Sequence, residues 1–486
     1  MASAHPDTLV VDLDGTLLRT DLLQESAFGL LRQNPLAVLR LPVWLLQGKA
    51  FVKAEIAARV PLEPSLLPWN EEFLAYLRER HADGDRLVLA TAANERYAHE
   101  IAEYLGIFSA VLASSDRVNM AGAEKLRHIR ELLVGAPFIY AGNGAVDLPV
   151  WQGAAAAVLV NTPPRVRQLA EAIGNVSRVF AGRQERLSKL IVAMRPHQWL
   201  KNLLLFVPLV LSHQLNNLTL VVNSLLGFVA FCLCASSVYL LNDLLDLAAD
   251  RRHPTKRNRP FAAGELPVTT GVLGMGGLLL AALLIALMLP PYFVDVLVVY
   301  YLSTVAYSLW LKRAALVDGL VLAALYTLRL IAGAAVIEVV PSFWLLAFSM
   351  FIFLSLAFIK RYSELLLNVG DDRRIAGRGY VPMDMETLAQ LGSASGYLAV
   401  LVLALYINGE KVEQMYARPE ALWILCPMML YWVSRMWLLT RRGDMHEDPV
   451  VFTIRDLRTW WLAALSGGAL LVAIFWPELR AVMPWP

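Results

Sequence analysis

The sequence predicts an α/β domain carrying a helical insertion, followed by an all-α polytopic membrane domain of about nine transmembrane helices. Three observations lead there. The 486 residues are 57% hydrophobic and only 17% charged, a membrane-like balance in a chain long enough for more than one domain. That balance is uneven, because residues 1 to about 185 alternate apolar and charged segments while the rest is a series of apolar runs joined by short charged loops. Short apolar runs ending in Asp, Thr or Gly then give way to runs of membrane length near residues 181–188. The expected domains are therefore 1–182 and 183–486.

In chain order, Met1 to Thr8 is polar and leads directly into a strand, so no signal peptide is expected. TLVVDLDGTLL (Thr8 to Leu18) reads as a buried strand ending in Asp12 and Asp14 and a glycine turn, which brings both carboxylates to the strand's carboxyl end. The leucine-rich stretch over about 20–85 has helical spacing and predicts a cap. Arg86 to Asn94 is a second buried strand containing Thr91, Lys125 follows a strand-like segment at Ala110 to Ala113, and Phe138 to Trp151 places Asn143 and Asp147 after another strand. His81, His99 and His128 have no metal-ligand spacing, and Cys232, Cys234 and Cys426 lie in apolar runs, which leaves no disulfide framework.

These N-terminal motifs resemble those of the haloacid dehalogenase superfamily of phosphatases, with a Rossmann-like fold. The resemblance implies that Asp12 is the nucleophile, that Asp14 is the acid/base, and that Thr91 and Lys125 hold the phosphoryl group. It also implies that Mg²⁺ is bound by Asp12, Asp14 and Asp147, with Asn143 standing where an acid is common.

Beyond an amphipathic basic segment (Arg183 to Trp199), the expected spans are 199–215, 218–241, 267–289, 292–311, 315–337, 342–359, 389–407, 421–440 and 459–476. Basic residues concentrate in the loops after the second, fourth, sixth and eighth spans, from Arg251 to Arg458, against Lys411, Arg418 and Arg480 elsewhere. By the positive-inside rule, the N-terminal domain and the basic loops face the cytoplasm and the C-terminus lies outside, in an inner (cytoplasmic) membrane.

Where the second span ends, Asn242 stands beside Asp243, Asp246 and Asp250, spaced i, i+3 and i+7 so that a helix would present the carboxylates together. Carboxylates at a membrane helix end suggest a divalent metal, and the cations that follow, including Lys256, Arg257 and Arg259, suggest a pyrophosphate. The NDxxDxxxD pattern, together with RPHQWLKN (Arg195 to Asn202), HPTKRNRP (His253 to Pro260) and YSLWLKR (Tyr307 to Arg313), resembles the UbiA superfamily of membrane transferases, in particular its decaprenyl-phosphate phosphoribosyltransferase branch. That resemblance implies a Mg²⁺-dependent transfer of phosphoribosyl from phosphoribosyl pyrophosphate to a polyprenyl phosphate in the bilayer. The candidate phosphate contacts are Lys201, Lys256, Arg257, Arg259, Lys312, Lys360 and Arg361.

Aromatic prenyltransferases of the superfamily usually carry a second Asp-rich motif after the sixth span, where this chain has Lys360, Arg361 and Glu364. Asp371 and Asp372 lack the DxxxD spacing and read as loop surface, while Asp318, Arg329, Arg455 and Asp456 complete the candidates. The fused phosphatase is expected to remove the ribose 5-phosphate from the transfer product. The rival readings are a prenyltransferase moving a prenyl group from its diphosphate to an aromatic or lipophilic acceptor, with an independent or degenerate phosphatase domain, and a non-catalytic membrane anchor. Neither a nucleic-acid partner nor an inverted repeat of transporter type is indicated, and oligomeric state is left open.

Overall fold

A computed structural model describes residues 7–182, 186–367, 379–445 and 448–482. Asp371, Asp372, Arg373, Arg374, Arg378 and Arg183 fall outside the described residues, and no side chain is described for Lys411 or Arg480. Spatial proximity divides the chain into two compact units, Met1–Pro196 with Tyr239–Gly277, and His197–Val238 with Leu278–Pro486.

The first unit is built on a parallel sheet of β1 (Thr8–Val11), β2 (Arg86–Asn94), β3 (Ala110–Ser114), β4 (Ile139–Gly142), β5 (Ala156–Val160) and β6 (Val176–Phe180), in the order β3-β2-β1-β4-β5-β6. Helices cover both faces, so the strands are apolar on both. Leu9, Val11, Leu87 and Leu89 enter one apolar cluster, and Val10, Val88 and Ala90 enter the other. The strand order reverses at β1, between β2 and β4. A crevice opens at such a reversal beyond the strands' carboxyl ends, which is where Asp12, Asp14 and Asn143 are carried.

The cap is smaller than its sequence suggests. Helical segments Leu22–Gln33, Pro35–Arg40, Leu41–Leu46 and Lys49–Ala57 surround a separate apolar cluster of Leu30, Ala37, Trp44, Val52, Ile56 and Val60. Helix Glu71–Ala82, which also falls within 20–85, instead places Phe73, Leu74 and Leu77 against Leu9 and Val11 of the sheet.

Eight helices among the described residues are long and apolar enough to cross a membrane: Leu218–Leu245, Val268–Ala286, Pro291–Leu309, Val317–Val336, Phe343–Leu366, Pro382–Ile407, Pro419–Arg442 and Leu457–Trp476. They match the last eight expected spans. The first, 199–215, forms a 3-10 segment (Pro196–Phe206) and a short α-helix (Val207–Leu211), with Pro208 denying the run a backbone donor. In the second unit, small residues let backbones approach. A Cβ at Gly333 would lie 2.0 Å from the Leu205 carbonyl oxygen, so only glycine fits there.

Candidate active sites

The first site forms where β1 ends. Asp12 N–H still donates to Ala141 O of β4, and the chain then turns at Gly15, whose φ of +76° favours glycine and whose Cβ would lie 1.9 Å from Asn143 Nδ2. Asp12 is gripped from two sides. Lys125 Nζ, from helix Ala123–Leu132, donates to its Oδ1 at 2.7 Å, and the Thr16 hydroxyl donates to its Oδ2 at 3.3 Å. Lys125 also donates to the Tyr140 hydroxyl at 2.9 Å, which itself donates to Asp147 Oδ1 at 2.7 Å. The other Asp147 oxygen accepts from the backbone N–H groups of Asn143 and Gly144, both at 3.0 Å. Asp14 Oδ1 accepts from Leu22 N–H at 2.9 Å, which fixes its side chain at the root of the cap.

Burial dominates the electrostatics. It pushes the Asp12 carboxyl up to about 6, opposed by the Lys125 charge and assisted by Asp147. Burial and then Asp21 raise Asp14 well above the carboxylate range. Burial alone would lower the Lys125 ammonium, but Asp12 and Asp147 reverse that and keep it charged.

A cavity of about 580 Å³ brings together Asp12, Asp14, Lys125, Asn143 and Asp147. Thr91 does not line it. Its side chain is fully buried, with its hydroxyl accepting from Ala93 N–H at 3.0 Å, and Ala92, Ala93 and Asn94 line the wall instead. The cap contributes Lys49 and Lys53 to the same cavity, and Lys53 Nζ donates to Ala92 O at 2.6 Å and Asn119 Oδ1 at 2.7 Å. Sequence reasoning missed Tyr140 and Lys53. The only sequence signal for Tyr140 was a polar-tipped aromatic inside a strand that is otherwise buried.

The second group lies where the helix Leu218–Leu245 ends. The helix breaks at Asp246 and resumes as Leu247–Arg252, so the three acids do not share one regular helical face. Arg259 Nη1 bridges Asp243 Oδ1 at 3.2 Å and Asp250 Oδ2 at 2.6 Å, and Arg195 also pairs with Asp243. Asp246 is held by a different cation, Arg32 of the cap, at 3.1 Å. Burial lifts the Asp250 carboxyl even though Arg259 opposes it. Asn242 Oδ1 is buried and accepts no hydrogen bond from the described residues. Lys256 and Arg257 lie exposed on the turn that follows.

In the second unit, Lys201 and Lys360 converge on one oxygen of Asp448, at 2.8 Å and 2.9 Å. Burial works to raise Asp448, and the two lysines outweigh it, holding that carboxyl well below its usual range. Arg361 was expected as an open phosphate contact. It is instead only 1% exposed, with its guanidinium committed to Asp318, Glu364 and the Tyr307 hydroxyl, because a buried cation needs partners on every donor. Lys312 lies half-buried in the short turn Leu311–Arg313. Arg329 donates to Asn202 Oδ1 at 2.8 Å, Leu325 O at 2.6 Å and the Tyr300 hydroxyl at 3.1 Å. Asp456 takes both Arg435 amines at 2.7 and 2.9 Å. Asp448 caps the helix Pro449–Arg455 by accepting from Val450 N–H at 3.1 Å, and its two lysine partners come from far away in the chain.

A doubly wound sheet with an Asp-Lys-Asp cluster, joined to apolar helices carrying acids at a helix end, defines a membrane enzyme with a phosphatase-type and a transferase-type part. The chain belongs to the UbiA prenyltransferase family, whose profile matches residues 203–462, and residues 9–152 match the haloacid dehalogenase-like hydrolases. The protein y4nM of Sinorhizobium fredii is 36% identical over 470 residues, covering 96% of this chain and 91% of that protein, so the fused arrangement is shared. Nodulation protein NoeC of Azorhizobium caulinodans is 37% identical over 265 residues, covering 54% of this chain and 86% of its own length. The decaprenyl-phosphate phosphoribosyltransferase of Mycolicibacterium smegmatis is 40% identical over 187 residues, 37% of this chain and 58% of that enzyme. Among solved structures, a UbiA homolog from Archaeoglobus fulgidus bound to DMAPP and Mg²⁺ is similar with a TM-score of 0.46 and 16% identity, covering 58% of this chain and 99% of that chain.

Proposed function

We propose that the chain performs two consecutive reactions on one lipid. The first transfers a 5-phosphoribosyl group from phosphoribosyl pyrophosphate to a polyprenyl phosphate, and the second hydrolyses the ribose 5-phosphate to leave polyprenyl-phosphoryl-ribose. The observation that carries this reading is the presence, in one chain, of a region 40% identical to a decaprenyl-phosphate phosphoribosyltransferase and a buried Asp12–Lys125 pair beside Asp14. In this reading the phosphatase domain is 1–182 and the transferase domain 183–486, with both sites on the cytoplasmic side of the inner membrane and the C-terminus outside. The clustering of basic loops supports that orientation.

The acidic groups fit Mg²⁺. Their donors are all oxygen, a cation already bridges Asp243 and Asp250, Lys125 lies 3.7 Å from Asp147 as well as 2.7 Å from Asp12, and Asn242 Oδ1 has a lone pair to offer. Among the described residues no three acidic, His or Cys side chains form a ready cage, which suits an ion that keeps waters and substrate oxygens. Asp12, Asp14, Asn143 and Asp147 would hold it in one site and Asn242, Asp243, Asp246 and Asp250 in the other, where it supplies neutralisation of phosphate charge.

In the transfer, an oxygen of the acceptor phosphate bonds to the ribose anomeric carbon as the bond to pyrophosphate breaks. Arg259, Lys256, Arg257, Lys201, Lys312 and Lys360 are assigned to phosphate oxygens. Arg361 holds Asp318 and Tyr307 in position. In the hydrolysis, Asp12 attacks phosphorus to form an aspartyl-phosphate, and Asp14 gives its proton to the departing ribose oxygen. Asp14 then takes a proton from the water that releases phosphate. Lys125 is assigned to the phosphoryl group, with the Ala92 and Ala93 backbone rather than the Thr91 hydroxyl at the cavity wall.

The test supplies detergent-solubilised protein with Mg²⁺, labelled phosphoribosyl pyrophosphate and a polyprenyl phosphate, and reads the lipid by mass. Wild type is expected to yield ribosyl-phosphate lipid, and Asp12→Asn to accumulate the phosphoribosyl lipid. A lipid fraction without ribose would overturn the proposal in favour of prenyl transfer from a diphosphate.

A further inference from the structure

Cap segment 35–46, PLAVLRLPVWLL, is apolar on two faces. One face is spent on the cap's own cluster through Ala37 and Trp44, seven positions apart. The other carries Leu36, Leu39, Val43, Leu45 and Leu46, which are 57% to 89% exposed. A contiguous exposed patch of this kind marks an interaction surface. Leu45 also lines the cavity that holds Asp12 and Asp14, so the patch runs into the mouth of the phosphatase site.

What covers the patch follows from its neighbours within the same compact unit. The preceding cap helix, Leu22–Gln33, is fastened to the end of a membrane-length helix. Arg32 pairs with Asp246 at 3.1 Å and reaches the Leu245 carbonyl at 3.4 Å, and on the same face Glu25 takes both Arg251 amines, one at 2.8 Å. Segment 35–46 therefore begins three residues after Arg32, whose side chain is anchored at the end of that membrane-length helix. A second element repeats the pattern. Helix Arg186–Met194 exposes Leu187, Ile191 and Val192, and its Lys189 pairs with Glu265 at 2.8 Å, three residues before the membrane-length helix Val268–Ala286 begins. Exposed apolar faces on elements fastened to the ends of two membrane-length helices suit lipid as their solvent.

We propose that segment 35–46 lies in the bilayer interface with Leu36, Leu39, Val43 and Leu46 among the acyl chains, and that the phosphatase cavity takes a phosphate monoester on a lipid-anchored headgroup directly from that surface. Leu45 faces the apolar part of such a substrate. Lys49 and Lys53, on the next cap helix, face a second anionic group between lipid and sugar, so the cap selects a diester-linked headgroup over a free sugar phosphate. The substrate assignment rests on the two-step reaction proposed above, whereas the membrane contact does not.

The experiment uses the full chain in nanodiscs with a Leu46→Cys variant carrying a polarity-sensitive fluorophore. The native Cys232, Cys234 and Cys426 are buried, so labelling falls on the new thiol, and Glu103→Cys, at an exposed position of the α/β domain, serves as the aqueous reference. Expected is a blue-shifted emission at position 46 that brominated lipids quench several-fold more than at position 103. Equal quenching at the two positions would overturn the proposal, as would a blue shift accompanied by doubled mass and no quenching, which would assign the patch to a second copy of the chain. A Leu36→Glu/Leu39→Glu pair should lower turnover of a vesicle-borne lipid phosphate at least tenfold while p-nitrophenyl phosphate turnover stays within twofold. Equal loss on both substrates would mean the patch serves folding. Quenching requires no turnover, so failure of the phosphoribosyl chemistry and failure of membrane contact are read separately.

Discussion

At Asp12 and Asp14, burial serves two opposite protonation needs. In the proposed hydrolysis Asp12 must lose its proton to attack phosphorus, and burial lifts it to about 6, so the rate is expected to fall as pH drops through that value. In the same reading Asp14 must keep its proton to protonate the leaving oxygen, and burial raises it well above the carboxylate range, so the rate is expected to fall as pH climbs through its own higher value. The pH dependence of kcat/KM on a soluble phosphate monoester should therefore be bell-shaped. Asp14→Asn should remove the alkaline limb and cost about 10²–10⁴-fold in rate. A flat wild-type profile across about pH 5 to about pH 7 would mean that Asp12 does not titrate in the reaction. Asp12 and Asp14 were legible in the sequence because a strand ending in DLDG carries its carboxylates to the strand's carboxyl end. Tyr140 and Lys53 were not, since each matters only through what lies opposite it.

At the scale of elements, the close approach of Gly333 to the Leu205 carbonyl sets how near helix Val317–Val336 comes to the Pro196–Phe206 segment. With a Cβ placed 2.0 Å from a backbone oxygen, no side-chain movement relieves the clash. Gly333→Val should destabilise the protein by about 1–3 kcal/mol, read as a lower Tm in detergent. An unchanged Tm would show the backbones to be further apart. The strands and eight of the expected spans follow from local pattern, because an apolar run of membrane length or a β-branched run bounded by turn residues has few alternatives. The segment 199–215 was harder, since its apolar composition suits a span while Pro208 and the 3-10 turn break it up. Likewise, leucine spacing assigned Glu71–Ala82 to the cap, but periodicity names an apolar face without saying which layer that face meets.

At the scale of the molecule, one compact unit contains both the phosphatase-type site and the acidic motif at Asp243 to Asp250. The two chemistries should nevertheless separate, because their reacting groups are distinct. Asp243→Ala should lower phosphoribosyl transfer by at least about 100-fold, as loss of a charge-stabilising group does, while hydrolysis of a soluble phosphate monoester persists. If transfer survived intact, Asp243 would have no part in it. By itself the sequence determined that the chain has two parts, which residues are candidates for acid and base chemistry, and roughly where the apolar runs of membrane length lie. Each of these is written in patterns of a few residues to about 20, over which strand and helix geometry act. Only the tertiary structure decided the partners. Arg32 reaches Leu245 across 213 positions and Lys201 meets Asp448 across 247. It also showed Arg361 spent on an internal ion pair, and a leucine face left uncovered at the mouth of the phosphatase cavity. Such contacts arise from the packing of whole elements, and no local periodicity encodes which distant charge or surface an element will meet.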